Sequence, residues 1–269
     1  MTVPSTARRV AQLALLAAAT SCAGAVVRPA PSPPGRGGDA VLVLPGFGYG
    51  GAGEQTFKTV ATTVTADGFA FYAPTYISRG GLADSRSHLQ RFIRERGLDR
   101  FARLHIFAFI AGAWTVNPLV EQGALPNLAT IVYDRSPLQE RAPRIADDDL
   151  HLLTWIRYGS PVFDVARTPY PVLSAPGVKV GLLVETRPTS FIRKHERAAR
   201  DLGPFRFECT ALAQRHDDCA YLAMSHDELY VRFADVWPEM RAFIRTGRFT
   251  AGANRTPPTE DPLIGKAAR

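Results

Sequence analysis

Six short apolar runs, separated by stretches with helical spacing, set the pattern of this chain. The runs lie at 39–44, 69–73, 104–110, 128–133, 178–184 and 205–212. The first five have the near-continuous apolar character of a strand buried on both faces, and the last alternates apolar with polar residues as a half-buried strand would. Between them, residues 54–67 place Phe57, Val60 and Val64 on one helical face, and a helix starting at Asp84 or Ser85 does the same with Leu89, Phe92 and Ile93. Residues 114–121 and 190–202 also read as helices. A last helix, from Leu229 or Val231 to Thr246, offers Phe233, Trp237, Met240 and Ile244 to the core, with Pro238 expected to bend or break it. Strands alternating with helices imply right-handed crossovers and a mostly parallel sheet covered on both faces. Residues 144–176 lack strand signals and are punctuated by Gly159, Pro161, Pro169, Pro171 and Pro176, as in an inserted lid or cap. No internal repeat is present.

The run from Leu104 differs from the others at its far end. Ala111, Gly112 and Ala113 are all small, and a helix begins at once. A buried strand turning into a helix over small residues is the layout of a nucleophile elbow, whose signature is G-x-S-x-G. Here the five positions read Ala108-Phe109-Ile110-Ala111-Gly112. Ile110 stands at the serine position and has no nucleophilic atom.

Val41-Leu-Val-Leu-Pro-Gly-Phe-Gly48, the stretch 104–113, Ile131-Val-Tyr-Asp-Arg-Ser-Pro137 and Met224-Ser-His226 occur in an order and spacing that resembles the α/β-hydrolase superfamily, nearest to bacterial lipases and esterases. The resemblance covers about residues 39–249. It implies an α/β-hydrolase-like sandwich, with oxyanion-type backbone amides at Phe47 and Ala111 and with His226 at the catalytic histidine position. Glu185 or Asp134 would supply its carboxylate partner. The departures are Pro45 for the usual His, Ile110 for the nucleophile, and Phe109 and Ala108 for the commonest residues before it; Pro188 stands near the usual place of the acid.

Two functional readings are open beside that of a purely structural envelope lipoprotein. In the first, the chain has lost its serine nucleophile and binds a ligand or partner, acyl or otherwise apolar, in the old pocket. In the second, it is an active hydrolase using Ser136 or a water activated by His226. Ser136 also reads as a turn serine before Pro137, and His226 as a solvated helix-entry residue beside Ser225 or Asp227. His105 inside the central strand reads as a satisfied core histidine, His216-Asp-Asp218 as a polar loop and Asp147-Asp-Asp149 as an acidic helix start. Arg135, Glu140 and Arg141 are expected to form an ion-pair network over the former active site. No metal-ligand spacing or cofactor motif is present, so neither a metal nor a cofactor is expected.

Composition bears chiefly on the two ends of the chain and their surroundings. A net charge of +7 and a pI near 9.6 favour anionic neighbours such as phospholipid head groups. The basic residues spread over several helices without a nucleic-acid-binding motif, so nucleic acid is not expected. Residues 1–21 read as a signal peptide, with Arg8 and Arg9 before an apolar stretch of 10–19. Ala19-Thr-Ser-Cys22 resembles a bacterial lipobox, which implies acylation of Cys22 and an exported protein tethered to the outer membrane, facing the periplasm. An ordinary signal peptide cut nearby is the other reading. Residues 22–38 form a Pro/Gly-rich linker, 39–249 the domain, and 250–269 a tail expected to be disordered. In an oxidising compartment Cys209 and Cys219 could pair or remain thiols.

Overall fold

The computed structural model describes residues 38–47, 52–136 and 138–263. Cys22, the signal segment, the linker up to residue 37 and the tail beyond residue 263 lie outside them. Six strands form a single sheet in the order β2-β1-β3-β4-β5-β6, with every neighbouring pair parallel. They are β1 (Asp39–Leu44), β2 (Phe69–Tyr72), β3 (Arg103–Ala108), β4 (Leu128–Asp134), β5 (Lys179–Glu185) and β6 (Asp218–Leu222).

The apolar runs are continuous because helices cover both faces of the sheet. Leu42, Leu44, Ile106, Ala108, Ile131 and Tyr133 point to one face, against α2 (Leu82–Arg96) and α3 (Ile110–Glu121). Val41, Val43, Phe107, Val132 and Leu183 point to the other, against α1 (Ala52–Ala66) and two later helices, α9 (His226–Val231) and α10 (Phe233–Thr246). The alternation is the two-residue period of a strand buried on both sides. Pro238 neither breaks nor ends α10, which runs through it to Thr246. Its neighbour Trp237 is buried and donates to Asp67 at 2.8 Å. Between β5 and β6, the helix expected over 190–202 is divided at His195 into α7 (Ser190–Lys194) and α8 (Glu196–Asp201).

The segment expected as a lid folds as three short helices, α4 (Arg141–Asp148), α5 (His151–Tyr158) and α6 (Pro161–Arg167). Arg79 pins the end of α5 by donating to the Trp155 and Arg157 carbonyls, each at 3.0 Å. Asp164 of α6 accepts the Leu82 amide at the start of α2, at 2.8 Å. That contact caps α2 in place of Asp84 or Ser85.

Two expectations need correction. The last strand is β6 and not residues 205–212, where Phe207 is buried but Cys209–Ala211 form a turn of 3-10 helix. The Cys209–Cys219 disulfide is formed, with a Cα–Cα distance of 6.3 Å, and joins that turn to β6. An apolar alternation can mark a strand, but only pairing with a neighbour makes one, and the pairing belongs to 218–222. Residues 250–263 are also not a free tail. Asn254 accepts the Tyr221 amide at 2.8 Å, and Asp261 and Leu263 are buried. Their anchor is the buried Arg141, whose nearest acid is Asp261 at 2.7 Å.

Candidate functional site

Three neighbouring strands end at one place. Asp134 is the last residue of β4 and Glu185 the last of β5; His226 opens α9, just beyond β6. In a parallel sheet this carboxyl edge is where ligands bind. Local sequence fixes the histidine. Ser225 caps α9 by accepting the Glu228 amide, and Glu228 reaches back to the Ser225 amide at 2.6 Å, a complete capping box. Asp227 holds α9 to α7 by accepting from the amide and the hydroxyl of Ser190, at 2.9 and 2.8 Å.

His226 turns Nδ1 to both carboxylates, at 2.6 Å from Asp134 Oδ2 and 3.6 Å from Glu185 Oε1. The side chains of both acids are 0% exposed, and that of His226 is 14% exposed. Burial, and then the adjacent Asp134 carboxylate, hold the Glu185 carboxyl well above its ordinary value of 4.5. For His226 burial opposes the imidazolium, but Asp134 and then Glu185 outweigh it and raise the group well above 6.5. The positive end of α9 also disfavours that cation, so the two acids carry its stabilisation. The two acids thus raise the proton affinity of an imidazole that burial alone would lower.

Asp134, Glu185 and His226 offer ligand atoms within 4.8 Å of one another, close enough to invite a cation. The 2.6 Å separation of Nδ1 and Oδ2 is that of a direct ion-pair contact. Two ligand atoms about 2.1 Å from one ion lie roughly 3 Å or more apart. The donor set is that of a histidine held by acids.

Above the cluster is a cavity of about 380 Å³, within the range of roughly 300–1,000 Å³ usual for small-molecule sites. Ile110, Ala111, Phe47 and His226 meet there, under the lid residues Ala146 and Leu153. Leu153 is also 66% exposed, so the cavity opens at the lid, whose outer side carries the exposed Leu152, Trp155 and Ile156. Ala111 is the second residue of α3, where a backbone amide has no carbonyl within its own helix. The small residues at the turn have a steric reason. A Cβ on Gly112 would lie 3.0 Å from both the Cβ and the carbonyl oxygen of Leu44.

The expected nucleophile site therefore holds Ile110, 7% exposed and lining the cavity with His226. The turn also lacks the strain of a working elbow. Ile110 is the first residue of α3 after an extended Phe109, and no described residue other than glycine has a positive φ. Ser136 is not brought to the cavity; it is 0% exposed and its hydroxyl has no partner among the described residues. The expected three-membered ion network divides. Arg135 pairs with Glu140 and lies 4.1 Å over the Tyr170 ring, whereas Arg141 turns away to Asp261, the Gly203 carbonyl and the Phe205 ring. His105 is a buried core residue, 2.9 Å from the Thr130 hydroxyl. Asp147 is tied to Arg167 and His151.

Two residues of the site, Tyr230 and Gln139, are not singled out by sequence pattern, and a third, Phe109, is marked there only as a departure from the elbow motif. Phe109 stacks on Tyr230 at 4.3 Å and meets His226 edge-on at 5.4 Å. Tyr230 accepts the Gly46 amide at 2.6 Å, and a Cβ on Gly46 would lie 2.7 Å from its hydroxyl oxygen. Gln139 lines the cavity from the segment after β4. Tyr230 had a signal: it is one helical turn beyond His226 and must share its face. Gln139 had none.

The site and sheet define a class: an α/β protein with a histidine and acids beneath a lidded cavity at the carboxyl edge of a parallel sheet. Solved structures of distantly similar shape include a lipase, an esterase and an epoxide hydrolase. A Bacillus licheniformis lipase has a TM-score of 0.45 at 12% identity, over 80% of this chain and 97% of its own. A Pyrococcus furiosus esterase has a TM-score of 0.45 at 11% identity, over 81% and 85%. The juvenile hormone epoxide hydrolase of the silkworm Bombyx mori has a TM-score of 0.46 at 12% identity, over 82% and 72%. These likenesses are distant, and the architecture follows from this chain's own strand order. No family model matches the sequence, and no curated protein is similar enough to match it.

Proposed function

We propose that this chain is an exported, α/β-hydrolase-like protein that binds an apolar ligand in the cavity over Ile110 and does not hydrolyse esters. The observation that carries the reading is Ile110 itself, at the position where the cavity, the α3 amide and His226 converge. Ester cleavage by the usual route needs a nucleophile there, hydrogen-bonded to a neutral histidine. The site offers a hydrocarbon, beside a histidine whose proton affinity Asp134 and Glu185 raise. The alternative nucleophile Ser136 is buried away from the cavity, which argues against the hydrolytic reading.

Purified protein offered short- and long-chain p-nitrophenyl esters is expected to release no more nitrophenol than buffer. Ile110→Ser is expected to stay at background too, because a serine on the helical backbone of α3 is not held in the strained turn that presents a nucleophile. Wild-type turnover that disappears in His226→Ala would overturn the binding reading. A gain in Ile110→Ser would show that the missing hydroxyl was the sole lock. Attachment to the membrane through Cys22 belongs to the same proposal, since the lipobox-like run and the positive charge both favour a lipid surface. The mass of the mature protein from a bacterial host should include acyl chains on Cys22; an unmodified Cys22 refutes the anchor.

A further inference from the structure

We infer that α5 docks on an anionic phospholipid surface through Leu152, Leu153, Trp155 and Ile156. The observation that points to it is a helix turned inside out. Of the six exposed large apolar side chains among the described residues, these four lie on one short helix, each 45–67% exposed. At 3.6 residues per turn they share about 160° of its surface. The polar Thr154 is the buried residue instead, and its hydroxyl donates to the Ala146 carbonyl at 3.2 Å. Half-buried Tyr158 shares that inner side and packs against Phe47, with ring centroids 6.3 Å apart. A helix on the surface of a globular domain ordinarily turns its apolar stripe to the core. Here Arg79 and the inner residues hold the stripe outward, so its partner has to come from outside the described chain.

Size and charge select that partner. An eight-residue helix is about 12 Å long and 10 Å across. That is far short of the roughly 800 Å² per partner of a stable protein interface, so this face alone holds neither a second copy nor another protein. Its borders are charged and do not extend it: Asp148 and Asp149 precede the helix and Arg157 stands near its end. A lipid surface needs only that the side chains dip into it, as those of a short amphipathic helix lying in the interface do. Tryptophan suits the head-group level, being apolar over most of its ring with one polar N–H. Arg157, exposed at the edge of the stripe, donates to the Tyr158 hydroxyl at 2.9 Å and forms no salt bridge among the described residues. With a net charge of +7 on the chain, that end favours anionic head groups. At the other end Asp147 is neutralised by Arg167 and His151, which leaves Asp148 and Asp149 to be held off the surface. The helix therefore meets the lipid with its Arg157 end leading. Leu153 also lines the cavity, so the docked face borders the cavity mouth. The docking needs neither acyl chains on Cys22 nor any particular cavity ligand.

The full chain, mixed with vesicles of equal parts phosphatidylcholine and phosphatidylglycerol, tests the assignment through the fluorescence of Trp155; the other two tryptophans, Trp114 and Trp237, are buried. Vesicles are expected to shift its emission to the blue, and brominated acyl chains to quench it. The quenching should fall several-fold on pure phosphatidylcholine and decline as salt rises. Leu152→Ser combined with Ile156→Ser, at two exposed positions, should also reduce it several-fold, and Trp155→Phe should abolish the emission shift. A chain that sediments with the vesicles while Trp155 stays unquenched overturns the proposal, because another segment then does the binding. Equal quenching on neutral and anionic vesicles overturns it too. So does a Trp155 shielded from acrylamide without vesicles: shielding that grows with protein concentration gives the face to a second copy, and constant shielding gives it to another part of this chain. If the double serine variant misfolds, shown by its near-ultraviolet circular dichroism, the wild-type quenching still decides.

Discussion

Asp261→Ala is expected to destabilise the protein by about 3–5 kcal/mol, the range for removing one partner of a buried ion pair. Arg141 is 0% exposed, and its pair with Asp261 is 2.7 Å long. Its guanidinium also donates to the Gly203 carbonyl and lies 4.0 Å from the Phe205 ring centroid. Two of its nitrogens, Nε and Nη1, already lack partners among the described residues. Losing Asp261 leaves a buried cation facing one carbonyl and a ring. It also releases the Phe205 and Leu263 amides, which donate to the same carboxylate at 3.2 and 3.0 Å. A urea titration should show a lower midpoint with little change in slope. The double variant Arg141→Met with Asp261→Leu should recover much of the loss, because an apolar pair needs no desolvation of charge. An unchanged midpoint in Asp261→Ala would refute the idea that residues 250–263 brace the lid.

The second large effect is a loss of stability toward alkaline pH that Glu185→Gln reduces. Both Glu185 and His226 bind their protons more tightly in the folded chain than in the unfolded one. For groups shifted in that direction the contribution is complete below the unfolded values, 4.5 and 6.5, and is lost as pH rises through the higher folded values. A tenfold gain in proton affinity on folding corresponds to about 1.4 kcal/mol. Because the groups face one another and Asp134, the protons belong to the cluster rather than to single residues. Glutamine has the shape of the neutral acid and cannot ionise. Glu185→Gln should therefore match the wild type near pH 4 and exceed it by a margin that widens as pH rises. Melting temperatures measured across the range will show this. A constant difference between the two proteins at every pH would sink the account.

The alternation of apolar runs with helical spacing determined the layered architecture, since a strand covered on both faces must be apolar almost throughout, as β1 and β3 are. The turn after β3 was legible for a similar reason: only small residues pass under Leu44 there. Ile110, His226, Asp134 and Glu185 could each be named from their places at strand ends. The sequence did not say that both acids meet one imidazole, because strand order and register decide which ends converge. It also misplaced the last strand, since alternation in 205–212 is a local property and pairing is not. Gln139 and the anchoring of Asp261 on Arg141 were decided by tertiary structure alone. Each is a contact between residues far apart in the chain or beyond any motif, and the cost of burying a polar group depends on what surrounds it once the chain has folded.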